Sequence, residues 1–193
     1  MSKGMRDFTQ GELEWVPWLA PVSLEEATAE QREALKITPS SRAVGAYSLV
    51  LAHDPESLAE RSPLYNAIMF GARGLPRADR ELGAVAASRI NGCAYCASVH
   101  AKRFTEVTKE PEVMDRLQGE GVEAALEPRR AAIVAYAAKL TRDPAGIGAR
   151  DAAPLRAVGL SDLEILDLTH AVAMFAWANR LMQTLGEPVA PAG

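Results

Sequence analysis

Residues 80–104 read RELGAVAASRINGCAYCASVHAKRF. In the first half Leu82, Val85, Ala86 and Ile90 recur at helical spacing among alanines, which predicts a helix over residues 78–90 with one buried face. Asn91-Gly92 is a natural stop, because both residues tolerate the left-handed backbone that ends a helix. The second half resumes a helical pattern from Cys93 to about Val107. Two helices meeting at a tight break, with no alternating β-branched run nearby, set the expectation for the whole chain: an all-α fold.

The same stretch holds both cysteines of the chain and one of its three histidines. Positions three and four apart on a helix share a face, so Cys93, Cys96 and His100 form one stripe. Glu81 lies too far ahead of Cys93 to join that stripe along a single helix. The break at Asn91-Gly92 lets two helices face each other, carboxylate toward imidazole.

Outward from this centre, helix signals continue in both directions. Ser23-Leu-Glu-Glu26 has the form of a capping box for a helix reaching about Lys36. A second helix is expected over residues 41–52, and Asp54-Pro55 supplies a cap and first-turn proline for a third reaching about Ala72. Leu75-Pro76 restarts the chain before the central helix. Beyond Val107, Pro111 and Pro128 open two more helices, over 110–117 and 128–141. The segment 143–148, DPAGIG, reads as a surface loop. A short helix follows over 152–158, and Ser161-Asp-Leu-Glu164 is a second capping box. It starts the longest helix, expected to run to about Leu185 and stop at Gly186 and Pro188. The expected organisation is an N-terminal arm, 1–22, and one helical domain, 23–193, with its reactive motif at 81–100.

Composition bounds the function. At 193 residues, 48% hydrophobic and 24% charged, the chain matches a globular protein with one substantial core. A net charge of −4 offers no general attraction to phosphate backbones, so no nucleic-acid partner is expected. The longest apolar run, Ala171–Ala178, is too short to span a bilayer, and no membrane partner is expected. The N-terminal MSKGMRDFTQGELEW lacks a signal-peptide core, so the default location is cytoplasmic. Two cysteines in a C-x-x-C, rather than a disulfide framework, point to redox or metal chemistry in a reducing compartment.

Thiol reactions use the thiolate, and an ordinary cysteine is mostly protonated at neutral pH. The N-terminal dipole of the helix starting near Cys93 favours negative charge on both sulfurs. His100 stands one turn from Cys96, where it can take a proton directly or through water, with Glu81 orienting the imidazole. Either thiol suits the attacking role on these grounds: Cys93 is nearer the helix start, Cys96 nearer the histidine. The other then attacks the oxidised sulfur before it climbs the oxidation ladder.

The run Glu81-x11-Cys93-x2-Cys96-x3-His100, with Asn91-Gly92 ahead and Tyr95 between the cysteines, resembles the AhpD-like alkylhydroperoxidases of the carboxymuconolactone decarboxylase superfamily, in particular their peroxidase-related branch. The specific likeness covers about residues 75–104. It implies an AhpD-like helical bundle that assembles into homo-oligomers, and a thiol-dependent peroxidase that needs no cofactor. It further implies that Glu81 and His100, through water, deprotonate a peroxidatic Cys96, that Cys93 resolves it to a Cys93–Cys96 disulfide, and that a lipoyl-bearing or thioredoxin-like dithiol protein recycles the enzyme. Better-known members carry histidine at the position of Tyr95, a departure that bears on proton relay or donor docking. The decarboxylase branch lacks the cysteine pair.

Two other functions fit the same residues. Glu81, Cys93, Cys96 and His100 are a legitimate zinc set, although three ligands from one helix face are unusual. The cysteine pair would also serve a redox sensor that opens and closes without turnover. Elsewhere, His53 is expected to complement a helix end and His170 to be a core or interface residue. Met174, Phe175, Trp177 and Met182 read as core or subunit contacts. Trp15 and Trp18 are expected to dock on a neighbouring subunit or to cover the chain's own core.

Overall fold

A computed structural model describes residues 8–38 and 44–191 of the protein. Among these residues lie nine α-helices: α1 (Ala29–Ala34), α2 (Ala46–Leu51), α3 (Pro55–Phe70), α4 (Arg77–Asn91), α5 (Ala94–Thr108), α6 (Pro111–Gly119), α7 (Pro128–Arg142), α8 (Ala149–Ala157) and α9 (Asp162–Leu185). Two four-residue strands, β1 (Glu14–Pro17) and β2 (Gly186–Val189), complete the elements, with a 3₁₀ turn at Pro144–Gly146.

The fold is helical, as expected, and its centre is α4, which packs against α5, α7 and α9. Every residue from Asp79 to Ser88 is buried, so this helix is enclosed rather than amphipathic. Small residues make that possible. A β-carbon on Gly83 would come within 2.7 Å of Leu168 Cδ1, so the glycine sets how closely α9 approaches.

Charge at the start of α4 is handled by a buried clamp. Arg80, 2% exposed, donates to the carbonyls of Leu75 (2.7 Å), Ile68 (2.6 Å) and Arg73 (2.7 Å) and to Asp167 Oδ2 on α9 (3.0 Å). The same carboxylate oxygen accepts from the Leu75 N–H at 2.9 Å. One guanidinium and one carboxylate thus tie the loop between α3 and α4 to the long helix.

Several helix ends match their sequence signals. Asp54 caps α3 through the Ser57 N–H, with Pro55 in the first turn. Ser161 and Glu164 close a reciprocal box at the start of α9. The box at Ser23–Glu26 does not form a helix start: α1 begins at Ala29, capped by Thr28 and Gln31, which have the same S/T-x-x-E/Q form. The later box wins because it brings Ala34 and Leu35 onto Ala52 and Leu58. Helix α2 begins at Ala46, and the part of its expected span at 41–43 lies outside the described residues.

The strand pair was not anticipated. β1 and β2 run antiparallel, Trp15 opposite Pro188 and Pro17 opposite Gly186. Trp15 is buried, donates its indole N–H to the Met182 carbonyl at 2.9 Å, and lies so close to Gly186 that a β-carbon there would meet its ring at 2.4 Å. Trp15 therefore covers the chain's own core, while Trp18 stays exposed. His53 Nε2 contacts the Ala20 carbonyl at 2.8 Å, fastening the arm beside it. His170 and Trp177 are exposed on α9, which excludes them from the core of this chain. No helix among the described residues is long and apolar enough to cross a membrane.

Candidate active site

Gly92 ends α4 at φ 74°, a backbone state that a side chain disfavours, and the Cys93 N–H then returns to the Ser88 carbonyl at 2.9 Å. This turn reverses the chain, lays α5 along α4 and makes Cys93 the N-cap residue of α5. Cys96, Ser98 and His100 follow as buried residues of α5.

The packing brings Glu81 to His100. The carboxylate Oε2 is hydrogen-bonded to His100 Nδ1, and Oε1 accepts from Arg77 one turn before it. Glu81 is fully buried and His100 is 4% exposed, its ring edge-on to Phe175 at 4.3 Å between centroids. Burial works to raise the Glu81 carboxyl, but His100 and Arg77 outweigh it and hold the group below the usual carboxylate range. Burial lowers His100, and Glu81 opposes this only in part. At neutral pH the pair is a carboxylate beside a neutral imidazole. Its Nδ1–H is spent on Glu81, which leaves Nε2 as the free acceptor.

The two thiols share one charge. Cys93 is pulled down by a hydrogen bond from the Cys96 thiol, assisted by the Cys96 backbone N–H and the Asn179 side chain. Cys96 is pushed up well above the ordinary range because it donates to Cys93 and is buried. The first negative charge therefore sits on Cys93, with Cys96 as its proton donor. Both cysteines are free and buried. Among the described residues, no group of three or more His, Cys, Asp or Glu side chains is arranged to hold a metal ion.

Asn179, on α9, was not singled out from the sequence as a site residue. It is fully buried, donates to Ser88 Oγ at 3.1 Å and accepts from Asn91 Nδ2 at 3.0 Å, which fixes its amide beside both sulfurs. An asparagine midway along an apolar helix was the available signal, because a buried amide must be bonded.

A cavity of about 540 Å³ opens over the site. Cys96 and His100 line it together with Tyr95, Tyr47, Arg61 and Phe175, whereas Cys93 does not reach its wall. Tyr95, half-buried between the cysteines, has its phenol raised chiefly by burial, so it is a neutral hydroxyl where a histidine was the familiar alternative. The structure brings the four residues picked from spacing together as two hydrogen-bonded pairs, Glu81 with His100 and Cys93 with Cys96, and Cys96 and His100 line the same cavity.

Residues 55–139, spanning α3 to most of α7, match the carboxymuconolactone decarboxylase family. Among solved structures the chain is similar to an AhpD-core, peroxidase-related protein from Ralstonia eutropha JMP134, at 26% identity and a TM-score of 0.77, over 88% of this chain and 90% of that one. It is similar to a peroxidase-related protein from Silicibacter sp. TM1040 at 26% identity and a TM-score of 0.73, over 88% and 93%. The debrominase Bmp8 shares the fold at 16% identity and a TM-score of 0.70, over 86% and 89%. A search of curated proteins matched none.

Proposed function

We propose that the chain, which matches the carboxymuconolactone decarboxylase family over residues 55–139 and is similar to AhpD-core structures, is an AhpD-like, thiol-dependent peroxidase reducing organic hydroperoxides through Cys96. The observation that carries this reading is that Cys96 and His100 share the wall of one cavity while Cys93 lies behind, in contact with Cys96 but away from the entrance.

The neutral imidazole takes one proton from the thiol pair on Nε2, directly or through water, and the imidazolium that forms is stabilised by Glu81; Cys96 passes its own proton along the hydrogen bond to Cys93, so the single charge moves to Cys96. The Cys96 thiolate attacks the terminal peroxide oxygen. The O–O bond breaks, the alkoxide leaves and takes the proton from His100, and Cys96 becomes a sulfenic acid. Cys93, already the more acidic thiol, then attacks the Cys96 sulfur; hydroxide leaves, gains a solvent proton as water, and a Cys93–Cys96 disulfide remains. A dithiol protein, lipoyl-bearing or thioredoxin-like, returns two electrons by exchange. Position thus assigns the two sulfurs different tasks: the thiol on the cavity wall meets peroxide and the one hydrogen-bonded to it resolves it. The setting is a reducing compartment such as the cytoplasm. The exposed stripe Leu163, Leu166, His170 and Trp177 on α9 supports assembly into a homo-oligomer.

Burial of both sulfurs also suits a pair that opens and closes as a redox sensor. One experiment separates the two. Steady-state consumption of tert-butyl hydroperoxide with dihydrolipoamide is measured for wild type, Cys96→Ser and Cys93→Ser. Peroxidase function requires turnover in wild type, none in Cys96→Ser, and a single oxidation event trapping Cys96 sulfenic acid in Cys93→Ser. Unchanged turnover in Cys96→Ser sinks the enzyme reading, and one disulfide without turnover establishes the sensor.

A further inference from the structure

The wall of the same cavity carries a buried cation with unused donors. Arg61, on α3, is 9% exposed, and neither its Nε nor its Nη1 has a hydrogen-bond partner among the described residues. Three aromatic rings surround its guanidinium carbon, Tyr65 at 4.8 Å, Tyr47 at 5.7 Å and Trp177 at 6.0 Å from their centroids. Ring faces attract the charge but leave the N–H donors unsatisfied. The Tyr47 hydroxyl, buried on a residue of the same cavity wall, also lacks a partner among the described residues, and burial raises its phenol so that it remains an O–H donor.

Three carboxylates line the cavity, Glu12, Glu14 and Glu106, and none accepts from Arg61 Nε or Nη1. Glu81 is held by Arg77 and His100, and Glu12 pairs with Lys102 at 3.5 Å on the exposed rim. A desolvated guanidinium and a desolvated hydroxyl, on two residues that line one cavity, are costly unless an acceptor arrives to receive them. Leu13, Trp15, Phe175 and Met182 supply apolar wall, and the volume suits a body of several carbon atoms rather than hydrogen peroxide alone.

We infer that Arg61 and Tyr47 form a carboxylate subsite, so that the cavity takes an organic hydroperoxide bearing a carboxylate, its acid end on Arg61 and its peroxide end at Cys96. This names the substrate class for the peroxidase proposed above and rests on that reading. The apolar body lies along the aromatic and aliphatic wall, and the charge-assisted hydrogen bonds at Arg61 give preference for the acid over its uncharged ester.

The test uses a short hydroperoxy-carboxylic acid and its methyl ester in steady-state assays, with octanoate binding followed by calorimetry. The wild type is expected to favour the acid in kcat/KM, and Arg61→Gln to reduce the acid-to-ester ratio by about tenfold to a hundredfold. Arg61→Lys should retain part of the preference, and Tyr47→Phe, which keeps the ring packing, should lose a smaller share; this second site keeps the test decisive if Arg61 variants fold poorly. Octanoate should bind wild type and bind Arg61→Gln at least about tenfold more weakly. An acid-to-ester ratio that Arg61→Gln and Tyr47→Phe leave unchanged, or octanoate binding indifferent to Arg61, overturns the subsite. Octanoate binding without turnover of either hydroperoxide retires the peroxidase reading and leaves the carboxylate site; ester turnover without acid preference does the reverse.

Discussion

The Glu81 carboxylate and the His100 imidazole are hydrogen-bonded across two helices, both almost wholly out of water, with Arg77 on the far oxygen of the carboxylate. His100 and, after it, Arg77 keep Glu81 ionised despite its burial, and Glu81 in turn fixes which nitrogen of His100 is free. Neither residue could hold this state alone: a lone buried carboxylate would take up a proton, and a lone imidazole could use either nitrogen.

Glu81→Gln should therefore act through His100. With the carboxylate gone, nothing opposes the effect of burial on the imidazole, and the imidazolium formed during the reaction loses its counter-charge. Peroxide turnover should fall by about a hundredfold or more. The acid limb of the kcat/KM profile should move to lower pH, because His100 would then stay neutral further down the scale. A slowed enzyme with an unmoved acid limb would show that Glu81 serves packing alone.

Asn179→Ala removes the amide that favours negative charge at both sulfurs. The thiolate fraction at neutral pH should drop, and the rate of iodoacetamide alkylation with it, by about tenfold to a hundredfold, since a hydrogen bond to a charged group contributes roughly 1.5–3 kcal/mol. The midpoint of the alkylation pH profile should rise. Asn179→Asp replaces the donor with a like charge and should slow alkylation further; alkylation of either variant at the wild-type rate would remove Asn179 from the site.

The helix break, the pairing of Glu81 with His100 and of Cys93 with Cys96, and the long final helix were legible because each is written locally, in 3.6-residue spacing, a glycine able to adopt positive φ, or a hydroxyl three residues ahead of an acid. The strand pair was not. Its two halves lie at opposite ends of the chain, and Pro17 and Pro188 look like breaks when each is read alone. The start of α1 was misplaced because Ser23 and Thr28 head two equivalent boxes, and only the packing of Leu35 on Leu58 decides between them. Arg61 and Tyr47 were invisible for a related reason. On α3 an arginine among Glu60, Ser62 and Pro63 resembles a solvated charge, and only the approach of α2 and α9 buries it.

Arg80 offers a test of the fold independent of chemistry. Removing a buried guanidinium that serves three carbonyls and Asp167 leaves several polar atoms unpaired, so Arg80→Met should destabilise the protein by about 3–5 kcal/mol in urea unfolding. Asp167→Asn, which keeps one acceptor oxygen, should cost less. A loss below about 1 kcal/mol for Arg80→Met would mean that the loop relaxes to solvate its own carbonyls.

The pH dependence of stability follows from His100. In the unfolded chain a histidine titrates near 6.5, whereas burial lowers the folded value. Between the two values the unfolded chain binds more protons than the folded one, so stability increases with pH across that window. The contribution is fully present above about pH 6.5 and is lost as the pH falls toward and through the folded value. The lowered Glu81 carboxyl adds a loss of the same sign at lower pH, beginning below about pH 4.5. Unfolding in urea at about pH 7.5 and about pH 5.5 should show wild type losing more stability than His100→Gln, whose amide does not titrate. Equal losses in the two proteins would mean that His100 takes up its proton in the folded state as readily as in the unfolded one, and the neutral base assigned to it would have to be abandoned.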